Sequence, residues 1–203
     1  MTSRIPHRAL GLVVLAGTLA AAWLVASARP AAAEAFAQKR DGWFVGFGVG
    51  GGTAALTHGG ESTDREGAPA GSFRAGFDFS PELGLGLETN GWSKSENVSG
   101  GGTATTTLSV GAATLYYHPP TNGLVLRGGV GYGTANAKVQ FGSTSVSGSE
   151  SGFGFTVGAQ YDFRVRRTFS LGPTVDFGWM TLSDFDANYV NFGLSFDWHF
   201  LGR

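Results

Sequence analysis

Tyr189-Val190-Asn191-Phe192-Gly193-Leu194-Ser195-Phe196-Asp197-Trp198-His199-Phe200 is the stretch on which the fold turns. Val190, Phe192, Leu194, Phe196, Trp198 and Phe200 hold one parity; Asn191, Gly193, Ser195, Asp197 and His199 hold the other. A strand sends successive side chains to opposite faces, so one face here is wholly apolar and the other small or polar. A helix would mix the two sets. Alternation over about eleven residues is the length of a tilted strand that crosses a bilayer.

The same period recurs back along the chain. Residues 42–50 set Trp43, Val45, Phe47 and Val49 against Phe44, Gly46, Gly48 and Gly50. In 70–79, Phe73, Ala75, Phe77 and Phe79 oppose Ser72, Arg74, Gly76 and Asp78. After the turn Ser80-Pro81-Glu82, Leu83, Leu85 and Leu87 oppose Gly84, Gly86 and Glu88. Residues 106–117 gather Leu108, Val110, Ala112, Thr114 and Tyr116 on one face. Three more strands are expected at 124–133, 153–163 and 169–179. The pattern predicts eight strands, joined alternately by short turns and by long polar loops at 53–69, 93–105, 134–151 and 180–188. An even count returns both ends to one side, and short turns opposite long loops fit an outer-membrane barrel. Pro173 cannot donate to a ladder, which predicts a bulge or break in the seventh strand.

Alternation alone does not say which face is inside. A soluble barrel would expose a strongly charged face, whereas the second face here is mostly Gly, Ser and Thr. The interior of an eight-stranded barrel is just wide enough for side chains to fill it. Bulky Phe, Leu and Trp from every strand would not fit there, but the 34 glycines and small polar residues would. The bulky face is therefore expected to meet lipid. Trp43, Phe79, Phe163, Phe169, Trp198 and Phe200 would form one aromatic girdle, and Tyr132, Phe153, Trp179 and Tyr189 the other.

The last strand resembles the C-terminal assembly signal of bacterial outer-membrane barrels, with Asn191, Gly193, Phe196 and Trp198 in place and Phe200 continuing it. Leu201-Gly202-Arg203 follow, where that signal usually ends on the aromatic. From about Gly42 onward the chain resembles the small OmpA/OmpX-type barrel family. The resemblance implies an all-β fold, an eight-stranded antiparallel up-and-down transmembrane β-barrel in the bacterial outer membrane. It also implies lipopolysaccharide as a neighbour and the barrel-assembly machinery as a partner. It says nothing of activity, because that family holds structural proteins, adhesins, resistance factors and a few enzymes.

Upstream, Arg4 and Arg8 precede an apolar run over 9–26 and then Arg29-Pro30-Ala31-Ala32-Ala33. This reads as a signal peptide over 1–33, with cleavage as late as Ala37, leaving 34–41 as a short periplasmic segment and 42–200 as the barrel. The 203 residues include no cysteine, so disulfide and thiolate chemistry are excluded. A net charge of −1 speaks against a nucleic-acid surface.

No motif points to a cofactor, a metal or a catalytic residue. Gly46-Phe47-Gly48-Val49-Gly50-Gly51 has dinucleotide-site spacing but no helix behind it. Asp184, Asp186 and Asn188 start like a calcium loop, yet Tyr189 stands where glycine is needed. His58, Glu61 and Asp64 read as a polar loop. His58, His118 and His199 lie far apart along the strands, and nothing joins a nucleophile to a base. The expected role is therefore structural or surface-interacting, with any ligand at the outer loops. A small passive channel is the alternative, and a lipid-modifying enzyme is less favoured. Inside the barrel, the three-residue turn at Ser80, Pro81 and Glu82 places Arg74 opposite Glu88. A lone charge there is costly, so a salt bridge is expected, extended by Arg127 and Asp176.

Overall fold

The computed structural model describes residues 40–120 and 123–201, the last without its side chain. The expected signal peptide and residues 34–39 lie outside these, as do Thr121 and Asn122. Ten strands are described: β1 (Gly42–His58), β2 (Glu61–Ser62), β3 (Glu66–Asp78), β4 (Leu83–Val98) and β5 (Gly102–Tyr117) come first. β6 (Leu124–Phe141), β7 (Thr144–Tyr161), β8 (Phe163–Arg166), β9 (Phe169–Thr181) and β10 (Asp186–Leu201) complete them. β2 is a short return at the tip of β1, and β7 and β8 form one stave interrupted at Asp162. Eight staves result, each antiparallel to its neighbours. β10 closes the cylinder against β1, from Gly42↔Leu201 to Thr57↔Asp186. Closure pairs every stave on both sides and leaves no edge.

One end of the barrel, the lower end here, carries Gly42, Leu201 and the short turns. The other, upper end carries the hairpin tips. Over the lower part the outer wall is apolar: Phe73, Leu87, Val130 and Leu194 are each at least half exposed. Trp43, Phe79, Phe163 and Phe200 stand on that wall near the lower rim, with Trp198 ring-packed on Phe169. Near the upper edge of the belt are Tyr132, Phe153 and Trp179, the last against Phe155.

The structure corrects four expectations. The four long loops are mostly ladder. β4 and β5 stay paired up to Val98↔Gly102, and β6 and β7 up to Phe141↔Thr144. Only tight tips remain, with Gly59, Gly60, Gly100, Gly101 and Gly142 at positive φ. The polar composition that suggested loops belongs to an outer strand face of Ser and Thr. Ser93–Thr107, Ser95–Thr105 and Ser109–Thr134 hydroxyls bridge neighbouring strands at 2.9, 2.9 and 2.7 Å.

On β5 the bulky face is turned inward, not outward: Leu108, Val110, Ala112, Thr114 and Tyr116 are all buried. Tyr189 is likewise interior rather than part of a girdle, and its hydroxyl donates to the Asn90 carbonyl at 3.0 Å. These residues join Ala54, Trp92, Met180, Leu182 and Ala187 in an apolar core that fills the upper barrel. Lastly, β9 runs unbroken through Pro173, which sits opposite Leu194. The break expected there falls on the facing stave, where β7 stops at Tyr161 and the register shifts between Arg164 and Arg166. A proline lacks the N–H that this neighbour would otherwise receive.

Candidate functional site

Below the apolar core, the inward face of each stave carries small residues and a few charges, which meet in one layer. Arg74 on β3 stands opposite Glu88 on β4 in the register, and both are buried. They do not form the expected ion pair with each other. Arg74 reaches across β1 to Asp197 on β10 in a two-pronged contact, Nε to Oδ1 and Nη2 to Oδ2, both 2.8 Å. Glu88 takes Arg127 from β6 at 3.1 Å, and Arg127 also grips Asp176 on β9. Arg74, Glu88, Arg127 and Asp176 all lie buried in this layer, and Asp197, which the sequence alone does not place there, joins them. Its parity was visible; the missing step was closure, which brings β10 within reach of β3.

The layer is continuous. Arg127 donates to Gln160 Oε1 and Thr174 Oγ1, each at 2.8 Å, and Gln160 Nε2 donates onward to Asp162 at 2.7 Å and Asp197 at 3.1 Å. Tyr116 donates to Glu88 Oε2 at 3.2 Å. Ionised groups tolerate burial when each finds such partners. Glycine makes the contacts possible. A Cβ on Gly46 would lie 2.0 Å from Asp197 Oδ1, and one on Gly158 would lie 2.5 Å from Asp176 Oδ1. The Arg74–Asp197 and Arg127–Asp176 pairs therefore each pass over a stave that has no side chain at the crossing point.

A second cluster fills the lower end. Arg40, which the sequence leaves in the tail, is buried and donates to Asp162 at 3.0 Å and to His118 Nδ1. His118 Nε2 donates to Asp78 at 3.1 Å. His199 lies tilted against Phe44, with ring centroids 6.3 Å apart, and the same small pocket touches both histidines. His118 and His199 are far apart in sequence but share this end of the lumen, contrary to expectation. Barrel closure again joins what linear spacing separates. His199 Nε2 also lies 3.4 Å from Ser170 Oγ. That serine is fully buried, and the space beside the cluster is about 10 Å³, room for one water. His58, read with Glu61 and Asp64 as a polar loop, donates from Nδ1 to the Asp184 carbonyl at 2.6 Å. Asn191, Gly193, Phe196, Trp198 and Phe200 all lie on β10, with Trp198 and Phe200 on the outer wall and Asn191 turned inward.

A closed antiparallel cylinder of eight staves, apolar outside and ionic within, defines a transmembrane barrel of the bacterial outer-membrane class. The family described as outer membrane protein beta-barrel domain matches residues 18–200, and this chain belongs to it. The protein resides in the bacterial outer membrane. No curated protein matches the sequence. Among solved structures, Ail, the attachment invasion locus protein of Yersinia pestis, in complex with the heparin analogue sucrose octasulfate, superposes with a TM-score of 0.59. It is 14% identical, over 77% of this chain and 99% of that one. A second crystal structure of Ail gives 0.58 at 14% identity, over 78% and 99%. Neisserial surface protein A gives 0.47 at 14%, over 75% and 95%. At such identities the likeness to Ail speaks for the fold alone.

Proposed function

We propose that this barrel is a rigid, non-conducting and non-catalytic scaffold that presents its upper hairpins outside the cell for contact with a macromolecular partner. The β6–β7 hairpin carries the reading. Both strands run 18 residues, and nearly every residue from Asn136 to Ser149 is exposed on both faces. Phe141 and Val146 stand out as exposed apolar side chains near its tip. Recognition concentrates on such projections from a rigid frame, with apolar anchors at the centre of contact. The upper hairpins hold Arg65, Lys94 and Lys138 against Glu61, Asp64, Glu66, Glu96, Glu150, Asp184 and Asp186. That excess of carboxylates suits a neutral or basic partner, and differs from what a polyanion such as the one bound by Ail would want.

The continuous ionic layer supports a closed lumen over the passive channel, and the buried Ser170 speaks against a lipid-modifying enzyme. Lipopolysaccharide would cover the outer wall, and the barrel-assembly machinery would read Asn191, Gly193, Phe196, Trp198 and Phe200. Replacing 136–149 by a two-residue turn tests the scaffold reading. Cells expressing that variant should lose adhesion to host-cell or matrix surfaces, while the protein keeps its heat-dependent gel mobility. Adhesion equal to the full-length barrel, with all four hairpins tested in turn, contradicts it.

A further inference from the structure

The upper barrel contains a cavity that neither the ionic layer nor the hairpin tips account for. Its volume is about 250 Å³, and Ala54, Leu56, Glu66, Trp92, Thr106 and Leu108 line it from β1, β3, β4 and β5. We infer that this cavity is a blind binding pocket for a small, water-borne, neutral molecule with an apolar body and one hydrogen-bond acceptor. The site is distinct from the hairpin surface proposed above and stands without it.

Four observations define the ligand. The first is an unmet donor: Trp92 is 3% exposed, and its indole Nε1 has no hydrogen-bond partner. A buried N–H left unpaired is costly, so a carbonyl or ether oxygen brought to it adds more than an exposed contact would. The second is the apolar lining of Leu56, Leu108 and Ala54, which asks for a hydrocarbon body. The third is charge. Glu66, the one ionised group in the lining, is held by Lys94 at 2.9 Å. Lys94 also bonds Glu96 at 2.6 Å, so the mouth carries one excess negative charge, which together with the hairpin carboxylates repels anions. The fourth is size, somewhat below the usual range for drug-sized ligands.

The pocket is preformed and closed below. Thr63 N donates to the Leu56 carbonyl at 2.9 Å, and Leu56 N donates to Thr63 Oγ1 at 3.1 Å. Arg65 ties the same hairpin to Thr53 at 3.1 Å and to Asn188 on β10 at 2.7 Å. A wall fixed by its own bonds loses little freedom on binding. Val110, Met180 and Tyr189, all fully buried, belong to the core that floors it, and the ionic layer lies deeper. The ligand thus enters and leaves by the mouth and does not pass through. Ser93, Ser95, Thr105 and Thr107 face outward at this height, so the wall here is polar, and a lipid tail is not the occupant.

The test uses the refolded barrel in phosphatidylcholine nanodiscs with cyclohexanone as probe, followed by amide and indole N–H shifts. The shifts of Trp92 and Leu108 should saturate, with the Trp92 indole N–H moving in the direction of a new hydrogen bond. Trp92→Phe, read at the Leu108 amide, should weaken binding about tenfold, the loss of one hydrogen bond. Thr106→Trp, which fills the pocket from its half-buried rim, should abolish saturation while leaving the dispersed spectrum of a folded barrel. Shifts that rise linearly without saturating, or that saturate equally in Thr106→Trp, overturn the pocket. Broadening of the Trp92 indole by spin-labelled lipid tails would put a membrane lipid there and overturn the water-borne ligand.

Discussion

In its lower part β4 turns Leu85 and Leu87 outward and Glu88 and Asn90 inward. A few residues further up, the same strand turns Ser93 and Ser95 outward and Trp92 inward. β5 makes the same change, from outward Leu115 and Tyr117 to inward Leu108 and Val110. The backbone ladder does not register the difference; its pairing continues through it. What changes is the solvent outside. Lipid accepts an apolar wall, which leaves a narrow interior to glycine and paired charges. Water asks for a polar wall, so the apolar residues move inside and pack like the core of a soluble barrel. One set of strands is thus inverted at the membrane surface.

The two halves should fail differently when cut. Glu88→Ala strips Arg127 of one carboxylate in the ionic layer, and unfolding in lipid vesicles should be easier by roughly 3–5 kcal/mol. Bilayer recordings should then show more frequent conductance. Leu108→Ala opens a hole in the upper core, and about 2–5 kcal/mol is expected, with no conductance change because the layer below stays shut. If the leucine variant conducts and the glutamate variant does not, the assignment of the seal is reversed. Gly158→Ala should cost about 1–3 kcal/mol, because a methyl group there meets both Asp176 and Arg127. An alanine that leaves stability unchanged would mean that the ion pair does not need the bare crossing point.

The smallest effect is expected at the water-facing surface. Lys94 bonds Glu96 at 2.6 Å and Glu66 at 2.9 Å, and these carboxylates, Glu96 first, hold its pKa above the ordinary lysine value. A raised folded-state pKa gives a contribution that is complete below the unfolded value. It is lost as pH climbs through the folded one. Stability of the native barrel should therefore decline slightly on the alkaline side of the lysine range, and Lys94→Gln should flatten that limb. Identical alkaline limbs in the two proteins would leave the surface cluster without energetic weight.

The lower half was legible in the sequence because lipid and a narrow lumen impose opposite demands on alternate residues. Trp43 through Val49, or Val190 through Phe200, read unambiguously under that rule. The tight turn at Ser80-Pro81-Glu82 likewise fixed Arg74 opposite Glu88. The upper half was not legible, because Ser93, Ser95, Thr105 and Thr107 look like loop once the outer face is polar. Leu108 and Val110 keep the period, but the period carries no sign. Tyr189 shares its parity with Asn191, and parity was the better guide than its aromatic ring. The partners Asp197, Arg40, His118 and His199 became visible only with closure, which joins the two ends of the chain.

The inversion is tested most directly by one depth profile along β4 and β5 in nanodiscs, combining amide hydrogen exchange with broadening from spin-labelled lipid tails. Protected amides should continue from Leu83 to Val98 and from Gly102 to Tyr117, while lipid broadening reaches Leu85, Leu87 and Leu115 and stops short of Ser93, Ser95 and Thr107. Fast exchange above Gly91 would return the upper hairpins to loops, and lipid broadening that reaches Ser95 would mean that the barrel does not turn inside out at all.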